Sequence, residues 1–250
     1  VARLYSGEPL IIPRDTKVMV RAWDQFMVPD NSDFFHTQWS APTLLVAAET
    51  KPVAAGDLVV TELNYNPADA RVDAGEPDVN NDDFEFVELT NVSDEPLNLA
   101  GVRLAEVDSG NGPEGIEFTF DAGQLSPTQS VIVISNHAAF MARYGDTATI
   151  AQGNDAIVGA DGEFAGRLAN GGEQLTLLDA VGQTIQQFTY DDGWYPGTDG
   201  KGSTLQVVDP FEPDLNQWNN QQASRSSGQS EGSPGRMEGA TQGDFNHDQS

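Results

Sequence analysis

The chain has 250 residues and a formal net charge of −27, from 39 acidic and 12 basic side chains. A surface of this sign repels phosphate, so we expect neither nucleic acid nor an anionic membrane as a partner. The sequence contains no cysteine, which excludes disulfides, thiolate nucleophiles and cysteine-based zinc sites, and no apolar run reaches membrane-spanning length.

The first segment, residues 1–48, contains strand-like stretches such as KVMVRAWD and APTLLVAA. It indicates part of a β-sandwich that starts without an upstream partner strand, and we therefore expect the sequence to be a piece of a longer chain. Residues 49–56 combine polar residues with proline and glycine, which predicts a short linker.

The central segment, residues 57–220, carries eight short strand candidates separated by Gly, Asn, Asp and Pro. This spacing predicts an all-β, immunoglobulin-like sandwich. In EFVEL at 85–89 both faces carry apolar residues, which predicts a central strand. The exception is HAAFMARYG at 137–145, a predicted helix in which Phe140, Met141 and Tyr144 share one face.

The last segment begins with residues 221–243, which lack aromatics and alternation and predict a flexible, disordered linker. DFNHDQS at 244–250 then resembles the start of a calcium loop, with oxygen ligands at alternate positions. These ligands would be Asp244, Asn246, Asp248 and the Ser250 carbonyl. Gln249 replaces the usual glycine and the sequence stops before the bidentate acid, so we expect calcium to bind only weakly here.

A second, weaker calcium candidate is an acidic loop in which Arg71 is the opposing base. Its candidate ligands are Asp69, Asp73, Asp78, Asp82 and Asp83. Carboxylates of this density can order around a divalent cation. A solvated surface loop without ligand geometry is the favoured interpretation.

The stretch DDGWYPGTDGKGSTLQ, which starts at Asp191, allows two interpretations. Trp194 can close one end of the core, or Trp194 and Tyr195 can form a platform for a carbohydrate. The scaffold role is favoured because the surrounding glycines and proline are typical of a turn between strands.

Catalytic patterns are weak. GQSEG at 228–232 matches G-x-S-x-G but lies in a Ser/Gln/Gly-rich stretch rather than between a strand and a helix, and the three histidines are far apart in the sequence. Asn91-Val92-Ser93 matches a glycosylation sequon, which we attribute to chance. We predict no catalytic residue.

Three motifs occur in order along residues 57–196: LVVTELNYNP, DDFEFVELTNVSDEPLNLAGVRL and LANGGEQLTLLDAVGQTIQQFTYDDGWYP. Together they resemble the lamin tail domain, an immunoglobulin-like sandwich found in nuclear lamins and in many bacterial surface proteins. Tyr195, inserted between Trp194 and Pro196, departs from the family pattern. The N-terminal segment resembles part of the small sandwich of bacterial chitobiases, and GDFNHDQS resembles the opening of a dockerin calcium loop.

The resemblance implies a non-catalytic structural or binding module of a large exported bacterial multidomain protein. Such a module would mediate adhesion or protein–protein contact at the cell surface, with calcium as its one possible cofactor and no insertion into the membrane. The alternative is an accessory region of a secreted hydrolase or a spore-coat-kinase-like enzyme, with polysaccharide as its ligand.

Overall fold

A computed structural model describes residues 17–22, 43–46, 50–108, 112–121, 123–146, 148–153, 162–212 and 214–236. The chain divides into two compact units, Val1–Thr50 and Lys51–Ser250. In the first unit, β1 (Lys17–Val20) pairs antiparallel with β2 (Thr43–Val46), with Lys17 opposite Val46. Both strands lie within the predicted strand-like stretches, and the rest of the predicted chitobiase-like sandwich lies outside the described residues.

The second unit is built from short strands and one α-helix. The strands are β3 (Lys51–Pro52), β4 (Leu58–Asn64), β5 (Phe86–Asn91), β6 (Leu97–Asn98), β7 (Arg103–Leu104), β8 (Val107–Asp108), β9 (Pro113–Glu114), β10 (Ile116–Thr119), β11 (Gln124–Leu125), β12 (Ser130–Ile134), β13 (Ala165–Gly166), β14 (Gln174–Leu178), β15 (Thr184–Thr189), β16 (Leu205–Val207) and β17 (Ser224–Ser226). The helix α1 spans His137–Tyr144, and 3₁₀ turns occupy Val72–Ala74, Asn81–Phe84, Leu215–Asn219 and Gln221–Ala223.

Two five-stranded antiparallel sheets form the sandwich. Sheet 1 has the order β12-β5-β4-β16-β17 and sheet 2 the order β13-β10-β7-β14-β15. A smaller sheet, β11-β6-β3, and the ribbon β8-β9 complete the unit. The prediction of an all-β, immunoglobulin-like sandwich is confirmed.

The core lies between the two large sheets because alternate residues of each strand face inward. Val87 and Leu89 of β5 share one apolar cluster with Phe118 of β10 and Leu177 of β14. β5 lies between β12 and β4, so the prediction that EFVEL belongs to a central strand is confirmed.

The outer face of sheet 1 is covered by α1. Phe86 of β5 points away from the main core and meets Phe140 of the helix edge-to-face, with ring centroids 6.0 Å apart. Asn136 caps the helix N-terminus by accepting from the Ala139 N–H, and Gly145 caps its C-terminus. The predicted helix is confirmed, and its apolar face explains why both faces of β5 are buried.

Two predicted linkers differ from the observed structure. Within 49–56, Lys51 and Pro52 form β3, which pairs in parallel with β6. Within 221–243, the described residues 221–236 are folded, and β17 extends sheet 1 by pairing with β16. Sequence patterns missed this strand because its residues, Ser-Arg-Ser, carry no apolar alternation and lie on a half-buried edge.

Candidate functional site

The acidic loop is organised around one buried arginine of helix α1. The Arg143 side chain is fully buried and lies over the Phe84 ring, with its guanidinium carbon 3.5 Å from the ring centroid. It donates to both carboxylate oxygens of Glu76, at 2.8 and 3.1 Å, and to the carbonyls of Ala68 and Asp69. Arg71 adds a second, more exposed partner to Glu76. The Arg143 guanidinium lowers the pKa of the Glu76 carboxyl to about 2.

The five predicted ligands of this loop do not converge. Asp69, Asp73 and Asp78 are exposed, Asp82 accepts from Arg167 at 3.2 Å, and Asp83 accepts from Asn136 at 3.3 Å. Across the described residues, no group of three or more His, Asp or Glu side chains could hold a metal ion. The loop is therefore ordered by Arg143 in this structure, and Ca²⁺ binding there stays a prediction. Asp244, Asn246, Asp248 and Ser250 lie outside the described residues.

Trp194 and Tyr195 lie in the connection between β15 and β16. Both rings are half-buried and pack against the main core. The Tyr195 hydroxyl lies 2.7 Å from the Ser224 carbonyl and 2.9 Å from the Gln221 carbonyl, and the Trp194 carbonyl accepts from the Gln221 side-chain amide. The two aromatic residues thus hold Gln221 and, at the start of β17, Ser224 against the core, which is a structural role.

An open groove lies beside the 3₁₀ turn Leu215–Asn219. Its lining includes the carboxylates of Asp209, Glu212 and Asp214, the ring of Trp218 and the exposed side chain of Val208. No Lys, Arg or His occurs among the described residues that line it. The acids also serve locally, since Asp209 accepts from the Phe211 N–H and Asp214 caps the 3₁₀ turn. The groove therefore presents negative charge beside apolar surface.

A polar cluster occupies the outer face of sheet 1 next to α1. Glu62 of β4 and Glu88 of β5 are directly opposed in register, and both are buried, with relative exposures of 2% and 1%. Glu62 accepts from Thr204 at 2.6 Å and from the Ser233 N–H at 2.8 Å. Burial raises the pKa of both carboxyls, for Glu88 to about 7, and the charge of Glu62 adds to the shift of Glu88.

A second pair of buried carboxyls lies near the loop before β14. Glu85 accepts from the Leu168 N–H at 3.0 Å, and its other oxygen has no hydrogen-bond partner among the described residues. Burial raises its pKa to about 9. Glu173 accepts from the Gly115 and Ala169 N–H groups and from the Tyr190 hydroxyl, and burial raises its pKa too. Each carboxyl holds a loop to a strand.

The glycosylation sequon at Asn91 and the GQSEG motif at 228–232 occupy different environments in the structure. Asn91 is fully buried and its side-chain amide donates to the carbonyls of Glu95 and Leu125, so the sequon is not presented to solvent. Ser230 of GQSEG is exposed and follows β17, and no helix begins between it and residue 236. Neither motif has the geometry that its chemistry requires.

The two packed sheets and their Greek-key-like mixture of short strands define an immunoglobulin-like module. A family model for the lamin tail domain matches residues 51–192, more than half of the chain. The chain therefore belongs to the lamin tail domain family. No curated protein and no solved structure matches it significantly. The match reaches neither residues 1–50 nor residues 193–250, and the chitobiase-like and dockerin-like resemblances stay predictions. None of the helices in the described residues is both long and apolar enough to cross a membrane.

Sequence patterns predicted neither the burial of Arg143 nor the pairing of Glu62 with Glu88. The helix pattern drew attention to Phe140, Met141 and Tyr144, whereas Arg143 sits among them as a basic residue with no signal of burial. A Glu in the middle of each of two apolar strands, VVTELN and FVELTN, was the available signal for the pair.

Proposed function

We propose that this chain is a non-catalytic protein-binding module of a larger exported bacterial protein, working at the cell surface. Membership of an immunoglobulin-like, non-catalytic family supports the binding role, because such domains commonly mediate protein interactions. The net charge of −27 suits a soluble module in a cation-rich medium and disfavours nucleic acid.

The groove beside Leu215–Asn219 is the surface that we propose for the partner. The observation that carries this proposal is its combination of three carboxylates with the exposed side chain of Val208, without a basic residue among the described residues that line it. Charge complementarity favours a segment that combines Lys or Arg with an apolar anchor. A protein partner is favoured over polysaccharide because the Trp194 and Tyr195 rings are half-buried against the core and the single donor of the Tyr195 hydroxyl faces backbone carbonyls.

The test is a binding titration with a fluorescently labelled, Lys/Arg-rich peptide that carries one aromatic residue. The double variant Asp209→Asn, Glu212→Gln keeps the local hydrogen-bond acceptors and removes two charges. We expect it to bind about three- to tenfold more weakly, since an exposed ion pair contributes up to about 1 kcal/mol.

The matched control is Asp94→Asn, Asp121→Asn, which removes two exposed charges outside the groove. Its affinity for the peptide should stay close to that of the parent chain. An equal loss of affinity in both double variants would show diffuse charge attraction and would contradict the groove proposal.

A further inference from the structure

The segment 227–236, which we call the strap, crosses the outer face of sheet 1 after β17. Its sequence, SGQSEGSPGR, contains no large apolar side chain. Its contacts are polar: Ser227 exchanges hydrogen bonds with the Thr204 backbone, and Ser233 accepts from the Gln206 side chain at 2.7 Å. Gly232 has a φ of +81°, and a methyl group there would overlap Thr204 and Glu62. Because the strap buries no large apolar side chain, we expect it to open at lower cost than the core strands.

The strap is fastened to the two buried carboxyls of the sheet. Ser233 donates to Glu62 through its N–H at 2.8 Å and through its hydroxyl at 3.2 Å. The Gly235 N–H donates to Glu88 at 2.7 Å, and Thr61 donates to the other oxygen of Glu88 at 2.6 Å. The strap therefore covers a pair of like-charged groups on adjacent strands, an arrangement that is unfavourable when both groups are ionised.

The other charged and titratable groups near the pair come from every neighbouring element. Glu231 of the strap lies 3.3 Å from Arg143 of α1 and 3.7 Å from Arg71, and both arginines also bind Glu76. Burial raises the pKa of Tyr144 of α1, and the charges of Glu231 and Glu62 add to this shift. Arg225 of β17 lies opposite Gln206, on the same face of the sheet as Glu62. Arg143 and Arg71 thus compensate Glu231 and Glu76. Glu62 and Glu88 accept hydrogen bonds from hydroxyl, amide and backbone donors.

We propose that the strap is a proton-dependent latch, which closes over Glu62 and Glu88 while this pair holds a proton and opens when both carboxyls are ionised. Opening uncovers a two-carboxylate face on β4 and β5, so the protonation state of the pair decides whether that face is available. The latch is separate from the groove, and its outcome does not depend on the proposed partner.

The direction is set by burial, which raises the pKa of both carboxyls more than the N–H and hydroxyl donors of the strap and the sheet lower it. A carboxyl whose pKa is higher in the closed state than in the open state favours closure at low pH, and this preference is lost as pH rises through the closed-state value. For Glu88 the closed-state pKa is about 7, against an ordinary value of 4.5. The opening constant should therefore rise by up to about tenfold per pH unit across that window and level off above it.

The experiment is hydrogen exchange of residues 227–236 in the whole chain, measured from about pH 5 to about pH 8 and corrected for the intrinsic exchange rate. We expect strap protection to fall with pH in the parent chain and to be independent of pH in Glu62→Gln, Glu88→Gln. The control Glu117→Gln, at an exposed strand position, should behave as the parent does. Strap protection that is constant with pH in the parent, or that falls equally in the double variant, overturns the proposal.

A second variant tests the latch without altering either carboxyl. Gly232→Ala should hold the strap open through its clash with Thr204 and Glu62. In ¹³C NMR titrations, the carboxyl midpoints of Glu62 and Glu88 should then move down towards the ordinary 4.5. Midpoints that stay where they are in the parent, despite an open strap, would show that strap closure and protonation are not linked.

Discussion

At the scale of single residues, Arg143 shows how one buried cation can order a long acidic loop. It contacts Glu76, two backbone carbonyls and the Phe84 ring, so its charge, its donors and its planar face are all used. Removal of one partner of such a pair leaves the other buried and unpaired, which costs more than the pair itself contributes.

We expect Arg143→Ala to lower the free energy of unfolding by about 3–5 kcal/mol, because the Glu76 carboxylate would remain buried without its main partner. Arg167→Ala is the matched control, since Arg167 is 75% exposed and its pair with Asp82 should contribute about 1 kcal/mol or less. Urea denaturation of both variants measures the difference. Similar losses for the two variants would contradict the central role of Arg143.

At the scale of elements, the turn before β14 contains two adjacent glycines, and only one of the two positions requires glycine. Gly172 has a φ of +95°, and a β-carbon there would collide with the Tyr190 carbonyl at the end of β15. Gly171 has open space around its position and no such dihedral. The turn brings Glu173 into place, where it accepts from Gly115 and Ala169.

Gly172→Ala should therefore lower the free energy of unfolding by about 1–3 kcal/mol, through backbone strain and the clash. This corresponds to a fall in Tm of several degrees, at about 2–4 °C per kcal/mol for a domain of this size. Gly171→Ala should leave Tm nearly unchanged. A calorimetric scan in which the two variants melt together would show that the turn tolerates a β-carbon.

The same scale shows what sequence patterns could and could not predict. The apolar stretches FVELTN and QLTLL and the capped helix HAAFMARY were predictable because apolar burial alone selects them. The fold of residues 221–236 was not, because Ser233 and Gly235 are held by carboxyls distant in the sequence. The site residues Glu62 and Glu88 become a pair only through strand register, which sequence spacing does not give.

At the scale of the whole molecule, buried carboxyls set the dependence of stability on pH. Glu88 and Glu85 have folded-state pKa values of about 7 and about 9, above the ordinary 4.5. Between pH 4.5 and about pH 9 the folded chain therefore binds more protons at these two groups than the unfolded chain does. Stability from these groups is present at low pH and declines as pH rises. Glu76, at about 2, acts in the opposite direction and loses its contribution as pH falls below 4.5.

We therefore expect the free energy of unfolding to be greatest near pH 5 and to fall by roughly 2 kcal/mol or more by pH 9. Self-repulsion of a chain with a pI near 4.1 acts in the same direction. Thermal melts across this range measure the trend, and Glu85→Gln or Glu88→Gln should flatten it whereas Glu117→Gln should not. A Tm that climbs steadily from pH 5 to pH 9 would contradict the assignment.

The outer side of β12 is closed to further strand pairing. Backbone bonds join Ile132 to Thr149 and Ala151, and Ile134 to Gly162 and Phe164, at 2.8–2.9 Å. Short parallel bridges thus occupy the rim of sheet 1 where another copy could otherwise add its own strand. A second copy of the chain would therefore find these backbone groups already paired, and we expect no polymerisation by strand addition at this rim.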